Sequence, residues 1–251
     1  MERELSELLG TIHSGYAILF TGAGFAVGAR DRRGRTLPSS EQMAKELWQL
    51  VFGDAHPDRS SLCDLFDVAM RRDRDAVVRY LDERLTVGEV PAHAVAWFAA
   101  PWRRIYTLDV DDLEVATRRA ANVPKTDVIH LNGMVGGDLD QMTFSTLQYA
   151  ERLIARQPAY EQLAEDLEHA PFVFVGTTLD EVVLWQHVML RSLHKMASSP
   201  RSFLVARSLT RARAVLLDAL GITWLPLSAE DAATELFPSL APSMHRSGAT
   251  R

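Results

Sequence analysis

A glycine-rich turn at the end of a predicted buried strand is the part of the sequence best suited to chemistry. The run Ala17–Phe20 is continuously apolar, which is typical of a strand buried on both faces. It ends at Thr21-Gly22-Ala23-Gly24. Two glycines two positions apart let the backbone turn tightly and approach a phosphate, because no Cβ stands in the way. The turn is a candidate nucleotide site, although many strands end in a glycine turn with a purely structural role.

Polar side chains follow two further predicted strands. Asp109 comes directly after the strand 104–108, at the strand end where open α/β sheets place ligand groups. The strand 127–133 carries His130 and Asn132 on the same face, because side chains alternate along an extended chain. A histidine in a strand is more often a packed core residue, so this pair matters only if its face meets the glycine turn.

A second glycine turn follows the predicted strand Pro171–Val175. Here Gly176 precedes two hydroxyl side chains, Thr177 and Thr178. Helical patterns alternate with strands along the chain, which predicts an α/β fold: a doubly wound, mainly parallel Rossmann-like sheet of about six strands with a helical insertion. The segment 142–145 is predicted to be one further short strand.

The composition limits the classes of protein to which the chain can belong. It has 251 residues, of which 47% are hydrophobic, enough for one large core with a subsidiary lobe. The net charge of −6 argues against a nucleic-acid-binding surface. Cys63 is the single cysteine, so an internal disulfide and a zinc site of several cysteines are excluded, and no metal is expected. No apolar run approaches the roughly 20 residues that span a bilayer, which favours a cytoplasmic location without membrane attachment.

The domain organisation is predicted from the spacing of strands and helices. Residues 1–35 and 101–228 are expected to form the core, residues 36–100 a helical insertion, and residues 242–251 a disordered tail. The polar segment Arg30–Arg35 is expected to be a loop that is solvated or becomes ordered over a ligand. The sequence does not decide whether the chain is a whole protein or one domain of a longer one.

Four blocks of sequence follow one another in a fixed order along the chain. They are Thr21-Gly22-Ala23-Gly24-Phe25, then residues 106–114 (Tyr-Thr-Leu-Asp-Val-Asp-Asp-Leu-Glu), then residues 129–133 (Ile-His-Leu-Asn-Gly), and finally residues 174–180 (Phe-Val-Gly-Thr-Thr-Leu-Asp). In this order they resemble the sirtuin (silent information regulator two) family from Tyr16 to about Leu227. The resemblance is closest to the bacterial branch that lacks the zinc-binding module, whose members are often anti-phage proteins that hydrolyse NAD to ADP-ribose and nicotinamide.

The resemblance implies an NAD site formed by both glycine turns. It places Gly22, Ala23, Gly24 and Phe25 against the phosphates and ribose. On the far side it places Thr177 and Thr178. The chain departs from the family pattern at the chemical centre. Ala26 stands where the family usually has serine, Asp109 where it has asparagine, and Asn132 where it has the catalytic histidine.

Two functions from different classes remain open. An active NAD glycohydrolase would use Asp109 to stabilise the cation-like ribose and His130 as a general base, with Asn132 in the position of the family's histidine. The alternative is a catalytically degenerate domain that binds a nucleotide for sensing or assembly, alone, as a homo-oligomer or with a defence-system protein. Protein deacylation is disfavoured, because it would require the zinc module and the histidine that this chain lacks.

Overall fold

The computed structural model describes residues 1–53, 56–154, 157–179 and 201–238. The predicted tail 242–251 and Asp180 lie outside these ranges. In chain order the strands are β1 (Ile18–Thr21), β2 (Arg30–Asp31), β3 (Val87–Glu89), β4 (Arg104–Thr107), β5 (Val128–His130), β6 (Phe172–Val175), β7 (Ser202–Val205) and β8 (Ile222–Leu225). The helices are α1 (Glu2–His13), α2 (Ser40–Phe52), α3 (Leu62–Arg72), α4 (Arg74–Leu85), α5 (Ala92–Ala99), α6 (Leu113–Ala120), α7 (Thr146–Ile154), α8 (Pro158–His169), α9 (Arg211–Ala219) and α10 (Ala229–Leu236).

The fold is built on a six-stranded parallel sheet with the strand order β5-β4-β1-β6-β7-β8. All four residues of β1 and of β6 are buried, because apolar clusters cover both faces of the sheet. This confirms the predicted Rossmann-like α/β fold. None of the helices described is long and apolar enough to cross a bilayer.

The order of the strands places a topological switch point at β1. From β1 the chain builds β4 and β5 on one side and β6, β7 and β8 on the other. In open parallel sheets the crevice at such a point, outside the carboxyl ends of the strands, is where ligands bind. The two glycine turns and the segment that carries Asp109 all begin at these carboxyl ends.

The helices between β2 and β4 divide into two groups. Side chains of α2, α3 and α4 form an apolar cluster of their own, together with residues from the segment that follows β5. Helix α5 instead packs in the cluster on one face of the sheet through Ala94, Trp97 and Phe98. The division of the chain into a core and an insertion at 36–100 stays a prediction, and within that range both α5 and Val87 of β3 pack in the cluster on the sheet.

One local prediction was wrong. Residues 142–145 do not form a strand, since Thr143 makes a single backbone hydrogen bond to the Asn132 carbonyl (2.9 Å) and no ladder follows. The segment Arg30–Arg35 is exposed apart from Asp31, as expected of a solvated segment, but it is more ordered than a free loop. It starts with β2, which pairs antiparallel with β3, and it is tied down by the buried carboxylate of Asp31.

Asp31 is the centre of a buried ionic network. Its carboxylate accepts hydrogen bonds from the amides of Arg33 and Arg35 and forms ion pairs with the guanidinium groups of Arg35 (2.8 Å) and Arg84 (2.5 Å). Burial alone would raise the pKa of Asp31, but these hydrogen bonds lower it below its ordinary value. Arg84 also pairs with Glu46 on α2 at 2.9 Å. The network therefore joins the β2 loop to α2 and α4.

Removing the central cation of this network should destabilise the fold. Arg84 is 3% exposed, and Arg84→Ala leaves a buried carboxylate with fewer partners. We expect a loss of about 3 kcal/mol in the free energy of unfolding, measured by urea denaturation. Arg79→Ala, which removes an exposed arginine of the same helix, should change it by no more than about 0.5 kcal/mol. Equal effects of the two substitutions would contradict this role of Arg84.

Candidate functional site

The first glycine turn is held against the second by backbone hydrogen bonds. The Gly22 amide donates to the Val175 carbonyl (3.1 Å), and the Gly24 amide donates to the Gly176 carbonyl (2.8 Å). The turn closes on itself through the Phe25 amide, which donates to the Gly22 carbonyl at 2.7 Å. Three amides of the turn are therefore used within the protein and are not available to an anion. Within the part of the chain that the structure describes, the Ala23 amide donates to no protein group.

The contact between the two turns leaves no space for side chains. A Cβ on Gly24 would lie 2.9 Å from the Gly176 carbonyl oxygen and 3.1 Å from its Cα. Gly176 has a φ of +74°, which disfavours residues with a side chain, and a Cβ there would overlap the Phe25 amide. Glycine is thus required at both positions by the packing of backbone on backbone.

A large cavity of about 430 Å³ opens beside these turns. It lies at the carboxyl ends of β1, β6, β7 and β8, and four of the residues predicted to bind NAD line it together: Ala23, Gly24, Thr177 and Thr178. Gly22 does not line it, since this residue is buried under Thr177. Phe25 faces a different cavity, described below.

The large cavity also has lining residues that the sequence interpretation missed. His93, on α5, donates from Nε2 to the Phe25 carbonyl at 2.8 Å and meets the Phe25 ring edge-on. Arg207 follows β7 by two residues, so the strand-end rule that selected Asp109 would also have selected it. Glu230, in the first turn of α10, adds a carboxylate. No sequence signal pointed to His93, because it was assigned to the insertion.

A small cavity of about 10 Å³ lies next to the glycine turn, on the side of β4 and β5. It brings together the predicted residues Asp109, His130 and Phe25, and it adds Asp111 and Glu114, to which the sequence analysis gave no role. Since a cavity needs at least about 10–15 Å³ to hold a water molecule, this one has room for about one. A nicotinamide ring does not fit in it unless side chains move.

Both ring nitrogens of His130 face groups that accept hydrogen bonds. Nδ1 lies 3.1 Å from the Asp109 carbonyl oxygen, and Nε2 lies 3.2 Å from the Glu114 carboxylate. The Glu114 oxygen is close enough to Nε2 for an ion pair, but it does not lie along the N–H direction, so the two atoms form no hydrogen bond. Nδ1 donates to the Asp109 carbonyl, so a role of His130 as general base would fall to Nε2, which lies beside the Glu114 carboxylate. That role stays a prediction.

Two groups of this cluster, His130 and Asp111, have raised pKa values. Burial alone would lower the pKa of His130, but the Glu114 carboxylate, the Asp109 carbonyl and Asp111 raise it above its ordinary value. Burial raises the pKa of Asp111 to about 6; the Leu113 amide opposes the shift and Glu114 adds to it. Perturbed groups gathered beside a ligand cavity are typical of functional sites.

Asn132 lies outside the residues that line the small cavity. It is 8% exposed, and its Nδ2 donates to the Leu108 carbonyl at 3.0 Å. Its Oδ1 is buried without a hydrogen-bond partner in the described chain. The structure therefore gives Asn132 a contact with the backbone preceding Asp109, and a catalytic role for it stays a prediction.

The parallel sheet, the switch point and the paired glycine turns define a Rossmann-like α/β domain with a ligand crevice. A family model described as a SIR2-like domain matches residues 92–225, which is more than half of the chain. The chain belongs to this SIR2-like domain family, whose members bind NAD.

A solved structure gives a second comparison, from work on the mechanism and regulation of Sir2 enzymes. It matches with a TM-score of 0.53 and 15% sequence identity, covering 96% of this chain and 98% of that chain. At this identity the likeness shows the fold alone. A comparison with curated proteins found no match.

The close contact of the two turns gives a stability prediction. Gly24→Ala forces the backbone of Gly176 to move, and we expect a loss of about 1–3 kcal/mol in the free energy of unfolding. Gly10→Ala is the matched control, because its Cβ meets nothing within 4 Å in the middle of α1. The control should stabilise the protein by about 0.5–1 kcal/mol. If Gly24→Ala were tolerated equally well in chemical denaturation, the described contact would be wrong.

The raised pKa of Asp111 gives a pH prediction. The folded protein keeps this proton up to about pH 6, whereas the unfolded chain releases it near pH 4, so Asp111 lowers stability as pH rises through that interval. Asp111→Asn removes the penalty and can still accept the hydrogen bond from the Leu113 amide. We expect the variant to be more stable at pH 7, by on the order of 2 kcal/mol, with a difference that vanishes towards pH 4. Denaturation curves across pH 4–8 measure this, and a variant less stable at pH 7 would contradict it.

Proposed function

We propose that this domain binds NAD with the adenosine diphosphate half in the large cavity. The observation that carries the proposal is that residues of both glycine turns line one cavity at the switch point. Its volume of about 430 Å³ lies within the range of roughly 300–1,000 Å³ that is usual for ligand pockets. The Ala23 amide is the group best suited to meet a phosphate oxygen, and Thr178 lines the same cavity.

The charges around the large cavity favour a dinucleotide. Arg207 contributes a cation, and α10 begins at the cavity edge with its positive end. Glu230 contributes a carboxylate that can accept hydrogen bonds from ribose hydroxyls and would repel a 2′-phosphate. We therefore expect NAD to bind in preference to its 2′-phosphorylated form.

The remaining half of NAD would point towards Asp109 and the small cavity. Because that cavity holds about one water molecule, the nicotinamide ring requires a rearrangement of the surrounding side chains. ADP-ribose lacks this ring and needs no such rearrangement. On this basis we expect ADP-ribose to bind at least as tightly as NAD.

Hydrolysis of NAD to ADP-ribose and nicotinamide is the second candidate function. It is favoured by the three carboxyl groups of Asp109, Asp111 and Glu114 around the small cavity, since negative charge stabilises a cation-like ribose. Asp111, whose pKa is about 6, is better placed than His130 to accept a proton. Nicotinamide release that disappears in Asp109→Ala would support this candidate.

The family resemblance also gives predictions that nothing in the site tests. These are membership of the zinc-free branch, a role in anti-phage defence, and association with a defence-system protein.

Placing a negative charge at the mouth of the large cavity tests the proposed binding mode. Thr178 is exposed and lines the cavity, so Thr178→Glu should repel a diphosphate and weaken NAD binding by roughly tenfold or more in calorimetric titration.

Thr178→Gln is the matched control, because it has nearly the same size without the charge. It should bind NAD within about threefold of the original protein, a difference of under 1 kcal/mol. Equal affinity of the two variants would place the diphosphate elsewhere, and an original protein that bound neither NAD nor ADP-ribose would overturn the proposed function.

A further inference from the structure

His130 on β5 and Asn132 in the segment after it hold the backbone that carries Asp109. The His130 Nδ1 donates to the Asp109 carbonyl at 3.1 Å, and the Asn132 Nδ2 donates to the Leu108 carbonyl at 3.0 Å. Both acceptors belong to the connection between β4 and α6. The Asp109 amide is fixed as well, since it donates to the Thr107 hydroxyl at 3.0 Å. The backbone from which the Asp109 side chain projects is therefore held by contacts of Thr107, His130 and Asn132.

Glu114 contacts His130 from the opposite side. It lies in the first turn of α6, is 8% exposed, and places Oε1 at 3.2 Å from the His130 Nε2. An imidazole ring with a partner at one nitrogen alone can turn about its Cβ–Cγ bond and can exchange its tautomer. A carboxylate 3.2 Å from the second nitrogen opposes both, because its negative charge favours a proton on that nitrogen and attracts the imidazolium ring in this orientation.

We infer that Glu114 is a positioning residue of this site: it fixes the His130 ring, which holds the Asp109 carbonyl and so directs the Asp109 carboxylate towards the ligand. The inference rests on the proposed function, because Asp109 matters to a ligand that extends from the large cavity. Glu114 itself does not need to touch the ligand. Burying the carboxyl groups of Asp111 and Glu114 beside one imidazole has a cost in stability, which a purely structural contact would not require.

The charged surroundings of His130 determine how this contact responds to pH. Among the described residues that line the small cavity, the connection between β4 and α6 contributes Asp109 and Asp111, and α6 contributes Glu114. The other lining residues, including Thr21 from β1 and Phe98 from α5, do not titrate in the working range. All three titratable neighbours are acidic, so the imidazolium form is favoured while Glu114 is present.

The experiment compares the full chain with Glu114→Leu, using two readouts. The first is hydrogen–deuterium exchange of residues 108–110 without ligand, and we expect it to become faster by roughly tenfold when the contact is lost. The second is calorimetric titration with ADP-ribose, for which we expect affinity to fall by roughly tenfold. The pKa of His130, followed by ¹⁵N NMR, should fall in the same variant, which a purely structural role of Glu114 in α6 would not cause.

Two further variants make the result decisive. Glu165→Leu changes an exposed glutamate of α8 in the same way and should alter neither readout. Glu114→Gln keeps the size of the side chain, so it tests the charge should Glu114→Leu fail to fold, and it should lower the pKa of His130 with a smaller loss of affinity.

Unchanged exchange at residues 108–110 would overturn the inference, and so would faster exchange with undiminished ADP-ribose affinity. An original protein that bound neither NAD nor ADP-ribose would overturn the proposed function instead, and the exchange readout would then decide on Glu114 alone.

Discussion

The contact between Gly24 and Gly176 is the constraint on which the site depends. It brings the turn after β1 against the turn after β6, so closely that no Cβ fits between them. Because β1 and β6 are neighbours in the sheet, the contact fixes both turns at one edge and forms one wall of the large cavity. Most amides of the glycine-rich turn donate hydrogen bonds within the protein. The turn therefore lets a phosphate approach closely, but it offers few hydrogen bonds to that phosphate.

The same sheet edge carries two sites of opposite character. On the β6–β8 side, the large cavity is open, lined by hydroxyl groups, backbone, Arg207 and Glu230. On the β4–β5 side, the small cavity is nearly filled and surrounded by acidic groups and His130. The departures from the sirtuin pattern are concentrated on the second side. This division explains why binding of the adenosine diphosphate half has better physical support than cleavage of the nicotinamide bond.

Much of this arrangement could be predicted from the sequence, because it depends on local signals. The strands could be identified from the apolar runs before Gly22 and Gly176. Asp109, the polar residue after β4, indicated the sheet edge at which the strand ends meet. The contacts that decide the chemistry could not be predicted. The ion pair between Glu114 and His130 joins a helix to an edge strand, and the network around Asp31 joins residues more than fifty positions apart. The short strands β2 and β3 were missed because two or three residues give no periodic pattern.

The relative affinity of the protein for ADP-ribose and NAD is the measurement that tests this division most directly. Calorimetric titration of the same protein sample with each ligand gives the two dissociation constants under identical conditions. An open adenosine diphosphate site beside a nearly filled small cavity predicts that ADP-ribose binds as tightly as NAD or more tightly. An NAD affinity at least tenfold higher than that for ADP-ribose would show that the nicotinamide ring is bound favourably, and it would contradict the closed small cavity on which this division rests.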